Sequence, residues 1–173
     1  MKATYKQVTK ASYIRTVSQL ASEIWTECYR RALPGKQMNL ALEQFQSPDA
    51  IDDAVSEGVN YFLAQIGGKD IGYFAFHIVT GAVVLDHIYL RQGMRTRGLG
   101  RDILAYIEKL AASEGHSCVR LTVFQKCQDT VTFFKHRGYR IANDTVLEIE
   151  GGQPVPVFVM EKGAGFRADG WLA

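Results

Sequence analysis

The sequence predicts a mixed α+β fold, a central sheet flanked by helices, and three observations carry that expectation. Residues 60–90 hold three strand-like runs, "NYFLAQI", "IGYFAFHIV" and "VVLDHIYL", separated only by the turns "GGKD" and "TGA". After Gly98 the apolar residues switch to a helical period, and the run "CVRLTVF" follows that helix. The first third of the chain has helical spacing broken at Pro34-Gly35 and at Ser47-Pro48. Two tight turns imply an antiparallel meander, whereas strand, helix, strand implies a right-handed parallel crossover. The sheet is therefore expected to be mixed.

Taken in order, residues 3–9 suit a short edge strand, and "RTVSQLASEIWTECYRRAL" places Val17, Leu20, Ala21, Ile24, Trp25 and Cys28 on one helical face. "KQMNLALEQF" and "DAIDDAVSEG" follow as two short helices, the second capped by Ser47 with Pro48 behind it. The meander comes next, with strands at 60–66, 71–79 and 83–90. Leu99, Ile103, Leu104, Ile107, Leu110 and Ala111 then recur on one face, and Gly115 stops that helix. A strand at 118–124, a helix over "DTVTFFKHRGYR" ending near Gly138, and two strands around Gly151-Gly152 complete the order. The tail "GAGFRADGWLA" has no assignable pattern.

Composition bounds the function. With 173 residues the chain has the size of one domain that can bury a core unaided. A net charge of +2 excludes wholesale nucleic-acid binding. Cys28, Cys118 and Cys127 are odd in number and contain no CxxC, which argues against a disulfide framework and a zinc cluster; no metal is expected. The segment "MKATYKQVTKASYIRTV" lacks a signal-like apolar region, and no stretch approaches the roughly 20 apolar residues of a membrane span. A cytoplasmic protein that does not engage membranes is expected.

The segment "RTRGLGRDIL" raises the functional question, because a glycine inside a helix costs about 1 kcal/mol relative to alanine. At a helix start the first amides lack intrahelical partners and the macrodipole favours anions. Gly98 and Gly100 keep Cβ atoms away from those amides, and Arg95, Arg97 and Arg101 add charge. The stretch suits a pyrophosphate, or else is a tight turn with a solvated basic face. It is neither a Walker loop, having no Gly-Lys-Ser/Thr, nor a dinucleotide fingerprint.

This segment resembles the acetyl-CoA-binding signature of the GCN5-related N-acetyltransferase (GNAT) family, Arg/Gln-x-x-Gly-x-Gly/Ala, here Arg95-Thr96-Arg97-Gly98-Leu99-Gly100. "FFKHRGYR" is similar to the family's Phe-Tyr-x-x-x-Gly-Phe/Tyr element, and the order of elements agrees from about residue 5 to residue 161. The resemblance implies a single N-acetyltransferase domain over residues 1–173, with a short tail at 163–173. It also implies a mostly antiparallel sheet splayed between two parallel strands, here 83–90 and 118–124, with the pantetheine arm of acetyl-CoA in the wedge. Backbone groups of Ile88, Tyr89 and Leu90 would pair with pantetheine, the Leu90 N–H would face the oxyanion, and residues 95–101 (Arg95, Thr96, Arg97, Gly98, Leu99, Gly100, Arg101) would take the pyrophosphate. The implied reaction is direct attack of a primary amine on the thioester in a ternary complex.

Such an amine must lose a proton before it attacks. Comparison with polyamine-type members of the family points to Asp86 as the base, acting through water, with His87 beside it. Adjacent strand residues face opposite ways, so only one enters the wedge unless a bulge intervenes. The plainer readings are a hydrogen bond from Asp86 to a neighbouring loop and a half-buried strand histidine. Two positions depart from the family pattern. Phe134 stands where a Tyr often protonates the leaving thiolate, and Cys127 where an Asn often holds the cofactor. Water or Tyr139 is then the candidate donor.

The acceptor region of the family is built from the first helices, where Glu43, Asp49, Asp52, Asp53 and Glu57 face only Lys36. This favours a cationic amine, small molecule or peptide, although an acidic helical run is also an ordinary solvated face. Trp25 and Tyr29 are candidates for an aromatic wall. A homodimer is plausible from the family. The alternative function is a catalytically impaired acyl-CoA sensor, motivated by Phe134 and Cys127; a nucleic-acid contact through "RQGMRTRGLGR" lacks the interleaved aromatics such binders use.

Overall fold

The computed structural model describes residues 2–163, and its elements follow the periodicities of the sequence. Strand β1 covers Thr4–Gln7, helix α1 Ala11–Cys28, α2 Lys36–Gln46 and α3 Pro48–Ser56. The meander is β2 (Asn60–Ile66), β3 (Lys69–Val79) and β4 (Ala82–Leu90), followed by α4 (Leu99–Ser113), β5 (Cys118–Phe124), α5 (Gln128–His136), β6 (Arg140–Leu147) and β7 (Val155–Gly163). The expected tail at 163–173 lies outside the described residues beyond Gly163.

Local chemistry explains the boundaries. Helix α1 buries Ile14, Val17, Leu20, Ala21, Ile24 and Trp25, the expected face except for Cys28, which lies exposed at the helix end; the helix starts at Ala11 and ends at Cys28. The residues "YRRAL" therefore fall in the turn, where Tyr29 leaves helical geometry at φ −114°, ψ 22°. Ser47 caps α3 by accepting from the Ala50 N–H at 3.1 Å, with Pro48 in the first turn. A cap of this kind contributes about 1 kcal/mol. The two-residue loop Gly67-Gly68 has φ of 57° and 77°, which the tight β2–β3 hairpin requires and a side chain would resist.

The seven strands form one mixed sheet in the order β1-β2-β3-β4-β5-β7-β6. Every neighbouring pair is antiparallel except β4 and β5, which run parallel. Alternation divides the core between the two faces. Tyr61, Leu63, Tyr73 and Ala75 pack under α1–α3 with Leu20, Ile24 and Trp25. Phe74, Phe76, Val83 and Leu85 pack with Ile103, Leu104 and Ile107 of α4 and with Phe134.

The parallel pairing stops early. Ala82–Leu85 match Cys118–Leu121, and beyond that register the strands part. Strand β5 continues to Phe124 on its other edge, paired with Val157 of β7. Strand β4 continues to Leu90 on its other edge, paired with Gly72 of β3. The expected splay lies between 86–90 and 122–124. Among the described residues no helix is long and apolar enough to cross a membrane.

Candidate active site

The splay leaves main-chain groups without sheet partners. The Arg91 N–H donates to the Ile71 carbonyl of β3 at 2.9 Å. Antiparallel alternation therefore turns the amides and carbonyls of Leu90 and Ile88 towards the opened edge. The Leu90 carbonyl is met there by Arg95 Nε at 2.9 Å, so it faces away from β3 as that alternation requires. A small cavity of about 40 Å³ marks the parting point, lined by Leu85–Tyr89, Leu121–Val123, Thr130 and Phe134. Beside it lies a cavity of about 320 Å³ with Ile88, Leu90, Arg95, Gly100, Phe133 and Phe134 in its wall.

The glycine turn closes this second cavity. Gly98 caps α4 in the left-handed region at φ 78°, and a Cβ built there would come within 2.9 Å of the Arg101 guanidinium. The Asp102 N–H makes the first intrahelical bond, to the Gly98 carbonyl at 3.0 Å, which leaves the amides of Leu99, Gly100 and Arg101 ahead of the ladder. Gly100 faces inward, where a Cβ would contact Phe133 at 3.5 Å and Leu90 at 3.9 Å. Thr96, Arg97 and Arg101 are exposed on the turn. Arg95 binds both the Leu90 carbonyl and the Glu27 carboxylate, tying the turn to the end of α1.

A bulge decides the Asp86–His87 question. In the β3–β4 register Phe76 pairs with Leu85 and Ala75 with His87, so Asp86 is an extra residue. Two adjacent side chains consequently reach the same α1–α3 face, and both line one cavity of about 250 Å³. The Asp86 carboxylate accepts from His77 Nδ1 at 2.7 Å, a partner on the neighbouring strand and not in a loop. Burial raises the Asp86 carboxyl above its ordinary range, and the His77 contact opposes part of that rise.

His87 is held neutral. Burial lowers its ring from 6.5 to about 4. The Gln46 amide nitrogen faces His87 Nε2 at 3.2 Å, so Nε2 accepts and Nδ1 carries the proton. That Nδ1 has no hydrogen-bond partner. Gln46, 1 % exposed, also accepts from the Tyr73 hydroxyl at 2.6 Å and donates to the Tyr61 hydroxyl at 3.1 Å. Tyr29, from the turn after α1, donates to the Tyr89 hydroxyl at 2.8 Å. Burial raises both phenols, so both stay protonated. These two rings line the 250, 40 and 320 Å³ cavities alike and mark their junction.

A sequence profile describing the acetyltransferase (GNAT) family matches residues 18–139, more than half of the chain. The chain belongs to the GNAT acetyltransferase family. Solved structures agree in fold. PaiA N-acetyltransferase from Thermoplasma acidophilum, in complex with coenzyme A, is 18% identical, covers 94% of this chain and 99% of its own, and has a TM-score of 0.77. A GCN5-related N-acetyltransferase from Rhodopseudomonas palustris is 15% identical over 94% and 96% of the chains with a TM-score of 0.79. The ribosomal-protein-S18-alanine N-acetyltransferase of Escherichia coli is 13% identical over 98% of each chain with a TM-score of 0.71. None of the curated proteins compared with the chain matches it.

Within this GNAT fold the two positions that depart from the family pattern have different surroundings. Phe134 is 3 % exposed, packs against Phe133 and Tyr139, and still reaches both cavities of the splay. Cys127 caps α5 and packs on the α1–α3 side of the core, its thiol raised to about 11 chiefly by burial. Tyr139, the candidate donor, lines none of the four cavities described. Its hydroxyl is turned to Glu108 Oε2 at 3.4 Å, beside Lys162. Of the acidic residues singled out, Asp53 and Glu57 join Asp86 around an open cleft of about 310 Å³. Glu43, Asp49 and Asp52 are exposed and line none of the four cavities described.

Proposed function

We propose that this GNAT chain is a single-domain N-acetyltransferase that moves acetyl from acetyl-CoA to a primary amine by direct attack in a ternary complex. The observation that carries the reading is the splay: outward-turned amides of Ile88 and Leu90 lie in one groove with the glycine-started helix α4. The residues fit the ligand. The groove is lined by main-chain groups without sheet partners, where a β-like amide chain adds as a strand, and Gly98 and Gly100 leave the α4 amides open to a diphosphate. Coenzyme A bound to the Thermoplasma PaiA enzyme supports the same reading. Acetyl-CoA supplies an acetyl group activated as a thioester.

On this reading Ile88 holds the pantetheine arm through its main-chain groups, the Leu90 N–H stabilises negative charge on the carbonyl oxygen, and Tyr89, whose main chain pairs with Tyr73 of β3, borders the groove with its ring. Residues 95–101 hold the diphosphate, with Arg95 bracing the turn through Glu27 and the Leu90 carbonyl. Asp86, its carboxyl raised by burial and steadied by His77, takes the amine proton through water. His77 orients that carboxylate. The Tyr29–Tyr89 pair has one hydroxyl hydrogen beyond its mutual bond and stands where the cavities meet, so it takes over the donor role that Phe134 and Tyr139 do not fill.

The test is thiol release from acetyl-CoA across classes of amine. Amine-dependent release well above hydrolysis supports the transferase. Tight binding of coenzyme A without amine-dependent release supports the acyl-CoA sensor, the reading that Phe134 and Cys127 favour.

A further inference from the structure

The acceptor cavity has a composition that narrows the amine. Trp25 and Phe45 from α1 and α2, Phe124 from β5, and Leu147 and Val157 from β6 and β7 surround about 250 Å³ of space. Among its lining groups Asp86 is the only carboxylate, and His87 is neutral. An apolar cavity of about 150 Å³ accommodates benzene, so this one has room for a ring and a short aminoalkyl chain. An ammonium beside Asp86 keeps a counter-charge. A second ammonium farther in would meet mainly aromatic and aliphatic carbon, with Tyr29, Tyr89 and Thr122 offering hydroxyls but no counter-charge, and would lose its water without one.

From this geometry we infer that the preferred acceptor is a primary amine bearing one positive charge on an aromatic or branched apolar body, with the nitrogen at Asp86 and the body between Trp25, Phe124 and Leu147. The inference rests on the transferase reading above and names its substrate class. Asp53 and Glu57 do not change it. They are exposed on the neighbouring open cleft, where charges draw cations in from solution and are screened by salt. They draw a dication into the open cleft more strongly than a monocation, but they line that cleft and not the apolar cavity.

Two measurements on the full chain test the inference. The first is thiol release from acetyl-CoA with 2-phenylethylamine, 3-methylbutylamine and 1,4-diaminobutane. The second is calorimetric titration of 2-phenylethylamine into protein saturated with coenzyme A. The two apolar amines are expected to exceed the diamine in kcat/KM by about 30-fold. Leu147→Asp, which places a carboxylate at the far wall, is expected to shrink that ratio at least tenfold, and Leu147→Asn to shrink it less. A diamine preference in the wild type overturns the inference while leaving the transferase intact. Heat from 2-phenylethylamine with no thiol release from any amine upholds the cavity's preference and overturns the transferase. The absence of both heat and turnover with the apolar amines overturns the inference. Selective loss of diamine turnover in Asp53→Asn/Glu57→Gln, from a wild type that favours diamines, would place a second ammonium in the open cleft and also overturn it.

Discussion

On the side of the splay under the glycine turn, the groups on offer are main-chain amides from two adjoining stretches, 88–90 and 98–101. On the side under α1–α3, they are side chains from widely separated elements: Trp25 of α1, Gln46 of α2, Asp86 and His87 of β4, Phe124 of β5 and Leu147 of β6. A site made of backbone needs only the absence of side chains and the right local geometry. A site made of side chains needs those elements docked before it exists, and its chemistry can change by single substitutions without disturbing the other half. This split fits a protein that keeps one donor and varies its acceptor.

The largest expected effect tests the chemistry of the side-chain half. Asp86→Asn keeps the shape and the His77 contact but removes the base, so kcat should fall by about 10² to 10³ and the acid limb of the pH–rate profile should vanish. Coenzyme A affinity should stay as it was. A pH–rate profile like that of the wild type would remove Asp86 from proton transfer and leave it as a partner of His77.

The complementary change breaks the backbone half. Gly98→Val imposes φ 78° on a β-branched residue, so fold and affinity suffer together. Gly100→Val is the cleaner probe, because its Cβ would make ordinary contacts with Phe133 and Leu90 while its methyls cover the α4 amides. Affinity for coenzyme A should weaken by about 100-fold with little change in unfolding midpoint. Unchanged affinity, read by calorimetry, would reject the turn as the diphosphate site.

These two halves also differ in how far the sequence revealed them. The meander, the crossover and the glycine turn were legible because each rests on local periodicity or on residues whose backbone freedom is their function. The bulge at Asp86 was not, since one inserted residue in an apolar run leaves no mark on its pattern. Gln46 in "LEQFQ" reads as solvent-facing. Its 1 % exposure follows from where the end of α2 docks, over Tyr61, Tyr73 and His87. Tyr29 was legible as an aromatic residue but read as the tail of a helix; the hydroxyl contact with Tyr89, 60 residues away, is a product of tertiary packing.

A smaller effect should come from acid. His87 titrates near 6.5 when unfolded and near 4 in the fold, so between those values the unfolded chain binds a proton that the folded one does not. Stability from this group is complete above pH 6.5 and declines as pH falls towards 4, by about 2 kcal/mol at pH 5. Asp86 acts in the opposite sense, because its raised carboxyl takes up a proton more readily in the fold. Urea unfolding of wild type and His87→Gln at pH 7 and pH 5 separates the two. The variant should lose less stability on acidification; equal losses would mean that His87 is protonated in the fold.

The smallest effect concerns the position where the side-chain half meets the backbone half. Phe134 reaches both splay cavities, so a hydroxyl on its ring would enter the groove near Thr130 without crossing the core. If the Tyr29–Tyr89 hydroxyls already supply a proton to the departing sulfur, Phe134→Tyr adds a redundant donor, and kcat should change by less than about threefold. In the Tyr89→Phe background the same substitution should matter more, restoring most of whatever rate the loss of the Tyr89 hydroxyl removes. A large gain from Phe134→Tyr in the otherwise intact protein would show that no effective donor exists there. A large loss would show that the packing of this ring against Phe133 and Tyr139 sets the width of the splay. Paired kcat measurements on the two single variants and the double variant distinguish these cases, because shared proton donation predicts a rescue in the double variant, whereas packing coupling between these cavity neighbours does not restore rate.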